Sequence, residues 1–195
     1  MNLLALKGRR VLGLDKGKFS PRQGGSIVEF VVAMAVILVG VLAFSRSLTE
    51  SLELGQKNRE TALATAAAQG VVEELYATDI GRVFALYNDD PDDDPDGSGT
   101  APGSRFVTAG LQPRAQDAGR QGRILFPVPQ GSPGELREDL IDSKLRMPLD
   151  LDLDGAVDGA DHSGDYRLLP VLVRIAWQDG TEERELEVAT ILGAR

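Results

Sequence analysis

The sequence predicts an α+β protein in which one long N-terminal helix packs on a small antiparallel sheet. Three observations carry that expectation. Residues 26–45 form an apolar run with a single charge, and residues 46–77 continue in good helix formers with no proline. The last third of the chain then holds short alternating segments bounded by turn residues, closing on a hairpin signal at Asp179-Gly180.

Composition bounds what lies around these elements. The 195 residues leave room for one domain plus an appendage, and the 5% aromatic content implies a modest core. There is no cysteine, which excludes disulfides, thiolate metal sites and cysteine nucleophiles. The formal net charge of −9 is unevenly spread. Residues 1–24 carry Lys7, Arg9, Arg10, Lys16, Lys18 and Arg22 against Asp15 alone, a net of +5, and the other 171 residues sum to −14. A basic head before an apolar run is a topology signal that stays cytoplasmic. An acidic remainder argues against nucleic-acid binding, which needs basic surface to neutralise phosphates.

The run SIVEFVVAMAVILVGVLAFS, Ser26 to Ser45, has the roughly 20 residues needed to span a membrane as a helix. It lacks the polar face of an amphipathic surface helix. Its one charge is Glu29. A carboxylate in a span costs a few kcal/mol and either snorkels to the interface or pairs with another group. Beyond Arg46, apolar residues recur at Leu48, Leu52, Leu63, Ala67, Val71 and Leu75, mostly four apart, so the helix is expected to run on from about 26 to 77. Gly40, Gly55 and Gly70 interrupt it, either as tolerated glycines or as points of close helix approach. The alanine-rich stretch 62–68 is read as a narrow packing face beneath the globular part.

The flanks of the span are informative. Gly24-Gly25-Ser26-Ile27-Val28-Glu29-Phe30 resembles the processing site of type IV prepilins, and the basic leader upstream and apolar run downstream match as well. The resemblance implies cleavage between Gly24 and Gly25, N-methylation of Gly25, and Glu29 as the fifth residue of the mature chain. Gly25 stands where that family usually has Phe or Met, and Ser26 where it usually has Thr. Cleavage would create an α-amino group that Glu29, of the same or a neighbouring subunit, neutralises. Two buried charges that are costly alone become tolerable as a pair, and a shifted helix would leave both unpaired. The implied organisation is a leader at 1–24, a transmembrane half-helix at 25–45, an exported half-helix at 46–77 and an acidic head at 78–195.

Two acidic stretches punctuate the head. Residues 88–104, NDDPDDDPDGSGTAPGS, cannot bury apolar surface and are expected to be a solvated loop, with a metal-ordered loop as the sharper alternative. Residues 150–161, DLDLDGAVDGAD, alternate carboxylates around a glycine in the manner of a calcium loop. Asp150, Asp152, Asp154, Asp158 and Asp161 are the candidate side-chain ligands, with the Ala156 carbonyl between them. The final acid is Asp where an EF-hand has Glu, which resembles a dockerin-type loop, and neither flank reads as a long helix. The expected cofactor is Ca2+, an ionic staple for a domain that has no disulfide; the bland alternative is an acidic surface turn.

Strands are expected at 105–109, 123–128, 172–177 and 185–192, the last two forming a hairpin with Glu185 and Glu187 facing water. Trp177 is read as packing. A long N-terminal helix on such a sheet is the pilin-like architecture, and the closing hairpin resembles minor members of the family, such as the I-type pseudopilin of type II secretion and the V-type pilus modification protein. No catalytic constellation is found: there is no G-x-S-x-G and no phosphate-binding glycine loop, and the single His162 reads as solvated. The expectation is a non-enzymatic minor pilin or pseudopilin of a type IV pilus or type II secretion system. It implies a single-pass protein of the bacterial inner membrane, with the leader cytoplasmic and the head periplasmic or extracellular. Its implied partners are other pilin subunits, a prepilin peptidase, an inner-membrane assembly platform and lipid, with no nucleic acid. The rival class is an exported or membrane-tethered calcium-binding module behind an ordinary signal segment.

Overall fold

The computed structural model describes residues 26–193, and the chain divides into two compact units between Thr49 and Glu50. Helix α1 (Ile27–Ala77) begins where expected. The Ser26 hydroxyl accepts a hydrogen bond from the Val28 amide at 3.3 Å, and the Ser26 carbonyl accepts from Phe30 at 3.2 Å. Ser26 is therefore an N-cap, and Glu29 stands three residues on, the spacing of a capping box. Within the first unit the helix exposes its apolar side chains on every side.

In the second unit, Ala64, Ala68 and Leu75 of α1 are fully buried, and Leu63, Ala67, Val71 and Val72 pack beside them. The three-to-four spacing makes one stripe, and alanine keeps it narrow enough for close approach to the sheet. The apolar seam starts at Leu63; Leu48 and Leu52 are exposed. A Cβ added at Gly40, Gly55 or Gly70 would meet no atom within 4 Å, so these glycines answer to no close approach among the described residues.

Four antiparallel strands follow: β1 (Arg105–Phe106), β2 (Gly122–Leu125), β3 (Leu168–Asp179) and β4 (Glu182–Gly193), in spatial order β1-β2-β3-β4. All four expected strands exist. β1 and β2 are shorter than expected and the hairpin strands β3 and β4 are longer. Pro170 sits where β3 pairs only with β4, leaving a side on which a missing N–H is tolerated. The hairpin turns at Gly180-Thr181 with Asp179 opposite Glu182, and Gly180 takes a φ of +59° that suits glycine.

Val171, Val173, Ile175 and Trp177 of β3 face α1, whose Glu60 carboxylate accepts from the buried Trp177 indole at 3.0 Å. The Tyr76 hydroxyl shares a hydrogen bond with Thr190 at 2.9 Å. These contacts seat the second half of α1 on the β3–β4 hairpin, the α+β arrangement expected.

One helix was missed. The helical pattern was expected to fade after Thr78, yet α2 (Ile80–Tyr87) forms there. Eight residues are too few for periodicity to declare itself; the available signal was Asp79, whose carboxylate caps the Gly81 amide at 3.0 Å. The Phe84 ring of α2 meets Phe126 edge to face at 5.3 Å. Between β2 and β3 lies an irregular segment, 126–167, that buries Leu136, Leu145, Met147 and Leu151 in the same core. The Tyr166 hydroxyl ties it to α2, donating to the Ile80 carbonyl and accepting from the Phe84 amide at 3.3 Å.

Candidate functional site

Two features bear on function, one in each unit. The first is the start of α1. Its most apolar 18-residue window has a mean hydropathy of 2.8 and contains no buried residue. This helix is long and apolar enough to cross a membrane once. Glu29, in its first turn, is exposed and stands at the positive end of the helix dipole, where a carboxylate is favoured. Gly24 and Gly25 lie outside the described residues.

The second feature is the acidic loop at 150–161. Successive carboxylates accept nearby backbone amides and so wrap the chain into a tight turn. Asp150 accepts from Leu153 at 2.6 Å and from Gly155 at 2.9 Å, Asp152 from Asp154 at 3.0 Å, and Asp154 from Ala156 at 2.7 Å. Gly155 has φ +94°, the left-handed conformation for which glycine is the usual residue.

The centre of this turn is a residue outside the expected set. Glu138 is 1% exposed, its carboxylate accepting from Leu151 at 2.5 Å and Asp152 at 3.3 Å through one oxygen and from Asp158 at 3.2 Å through the other. It lies twelve residues ahead of Asp150 across an irregular stretch, so spacing gave no sign of it. His162 corrects another expectation: it is 6% exposed, not solvated. Its two ring nitrogens lie 3.2 Å from Asp158 and 3.2 Å from Asp165, with Glu138 and Asp152 each at 3.8 Å. Burial opposes its protonation, but the hydrogen bonds to Asp158 and Asp165 and the charge of Glu138 outweigh that and hold its pKa above the ordinary value.

Three groups of potential ligand atoms converge here, each within 4.8 Å: Glu138 with Asp150 and Asp152; Glu138 with Asp158 and His162; and Asp152 with His162 and Asp165. The expected ligands thus separate. Asp150 and Asp152 meet the unforeseen Glu138, and Asp158 turns to His162. Asp154 belongs to none of these groups, and Asp161 is turned to the Leu136 amide at 3.0 Å and the Ser163 hydroxyl at 2.9 Å. Those bonds outweigh partial burial and keep Asp161 below the usual carboxylate range.

The donor chemistry distinguishes the three groups. Glu138, Asp150 and Asp152 offer oxygen only, the preference of a hard cation such as Ca2+ or Mg2+. The other two include His162, which ligates a metal only when neutral, and its raised pKa opposes that. Asp152 also shows the strain of crowded charge. The Asp154 amide lowers its pKa, but desolvation and the neighbouring acids outweigh this and leave it raised. The all-oxygen group is therefore the one that fits a cation.

Glu187 departs from the expected water-facing role. It lies 2.7 Å from Lys144 and 2.7 Å from Arg174, and these cations hold its carboxyl below the usual range.

Compared with known proteins, the chain matches no family model, no curated protein and no solved structure.

Proposed function

We propose that this chain is a type IV pilin-like assembly subunit, a minor pilin or pseudopilin that is inserted through α1 and works by helix packing. The observation that carries the reading is the apolar start of α1, exposed throughout and bearing its only charge at Glu29. Such a surface needs lipid or other apolar helices around it. The glycine pair and basic leader upstream supply the rest of the prepilin resemblance. On this reading the head projects from the membrane on the exported half of α1. Glu29 neutralises the α-amino group made by cleavage after Gly24 and sets helix register.

The head carries a second proposed role within the same subunit. Glu138, Asp150 and Asp152 would hold a hard divalent cation, Ca2+ by preference, which would relieve their mutual repulsion and tie the irregular segment together.

Glu29→Gln is the discriminating substitution. Glutamine serves a capping box as glutamate does, so it retains the local helix start and removes only the charge. In a bacterium carrying the assembly machinery, the variant should be cleaved at Gly24 normally yet fail to enter filaments. Normal incorporation would overturn the role of Glu29. N-terminal sequencing of the mature protein tests the class itself. A terminus at Gly25 with the span retained supports a pilin-like subunit, whereas a terminus near residue 46 supports an exported cation-binding module.

A further inference from the structure

The sheet face turned away from α1 carries a row of arginines. Ile175 and Trp177 lie on the α1 side, so strand alternation places Arg174 on the opposite face. Arg174 sits directly opposite Arg123 on β2, and Arg123 sits directly opposite Arg105 on β1. Three guanidinium groups thus lie side by side across three strands. Like charges opposed on neighbouring strands are destabilising unless carboxylates are set against them.

Two more arginines, Arg114 and Arg120, come from the connection between β1 and β2, and the five line one concavity of about 140 Å³. Some of this charge is used internally. Arg114 pairs with Asp117 and Glu183, Arg123 with Asp89, and Arg174 with Glu187. Arg105 and Arg120 are exposed and have no ion-pair partner among the described residues. The Arg123 Nε is buried and has no acceptor. Arg105 and Arg120 also border Asp89, Asp90 and Asp94 without coming within ion-pair distance of them, so the guanidinium hydrogens of these two arginines are left facing solvent.

The shape of the groove limits its ligand. Sites for nucleotide-sized molecules occupy about 300 Å³ or more, so this one suits a single oxyanion group at a time. Guanidinium forks match the two oxygens of a carboxylate. The acidic surroundings repel a long polyanion such as nucleic acid, while one or two side-chain carboxylates on a protein loop can still seat locally.

We propose that the groove is a docking site for a carboxylate-rich segment of a neighbouring protein chain. Arg105 and Arg120 are the receiving forks. The site lies on the head and operates independently of leader cleavage and of Glu29.

The test uses the full-length protein in detergent micelles. The probe is a fluorescent peptide of residues 88–97 of this chain, NDDPDDDPDG, chosen as its densest acidic stretch. A copy with every Asp replaced by Asn is the control, and inorganic phosphate is the competitor. The acidic peptide should bind by anisotropy, the Asn copy should not, and binding should weaken as salt screens the charges. Arg105→Ala with Arg120→Ala should weaken it about ten-fold or more, and the corresponding Lys pair, which keeps the charges and loses the forks, should weaken it less. Both positions are exposed, so an unchanged near-UV circular dichroism spectrum verifies the fold. No binding of the acidic peptide would overturn the proposal, as would affinity unchanged in the Ala pair. Phosphate displacing the peptide at equal affinity would assign the groove to a free oxyanion and overturn the docking role.

Discussion

Replacing Glu138 by alanine removes the acceptor around which the acidic turn is organised. Three amides lose their partner: Leu151 at 2.5 Å, Asp152 at 3.3 Å and Asp158 at 3.2 Å. A hydrogen bond to a charged group contributes about 1.5–3 kcal/mol, and the bond to Leu151, buried at both ends, takes the upper part of that range. The two longer bonds, at the rim of the turn, contribute about 1 kcal/mol each. Removing a negative charge from a crowded acidic group returns about 1 kcal/mol. The net loss is about 3.5 kcal/mol. For a unit of this size, Glu50–Arg195, each kcal/mol moves Tm by about 3 °C, so the melting temperature should fall by about 10 °C. The assay is the near-UV signal of Trp177, the only tryptophan, followed on heating in micelles with EDTA present. Glu138→Gln keeps one oxygen and should lose only about a third as much. A fall of less than about 3 °C for the alanine variant would refute the view that Glu138 holds this turn together.

Two further outcomes follow from the same geometry. At a calcium concentration about 100 times Kd, binding to the folded state alone adds about 2.7 kcal/mol, which should raise Tm by several degrees. Asp150→Ala with Asp152→Ala should abolish that rise while Asp154→Ala leaves most of it, and a parent protein indifferent to calcium would end the cation proposal. The second outcome concerns acid. Lys144 and Arg174 lower the folded pKa of Glu187 below its usual 4.5, so its contribution is complete above that value and is lost as pH falls through the lower folded pKa. Glu187→Gln should therefore destabilise the head at pH 7 and flatten the acid limb of its stability profile; an acid limb identical to the parent's would contradict the pairing.

How far the sequence could be read depended on the range of the interaction. The helix over 26–77 was legible because propensity and apolar spacing are local and persist for many turns. The hairpin was legible for the same reason, since Asp179-Gly180 and the alternation around it act within a few residues. Helix α2 was too short for a pattern, and β1 keeps only two residues because its pairing with β2 ends at Phe106–Gly122. Asp150 and Asp152 could be singled out by their spacing. Glu138 could not, because nothing local distinguishes it from the neighbouring acids Glu135 and Asp139.

By itself the amino-acid sequence determined the α+β class, the apolar start of α1 with its one carboxylate, and the place of the acidic turn. Those are matters of composition and period. Only the tertiary structure decided which carboxylates converge, that His162 is buried among them, and that Arg105, Arg123 and Arg174 stand in one row. The reason is physical: burial and charge proximity are set by chain segments far apart in sequence. Arg105 and Arg174 are 69 residues apart and become neighbours of Arg123 only through strand register. Register is fixed by which face of each strand the core buries.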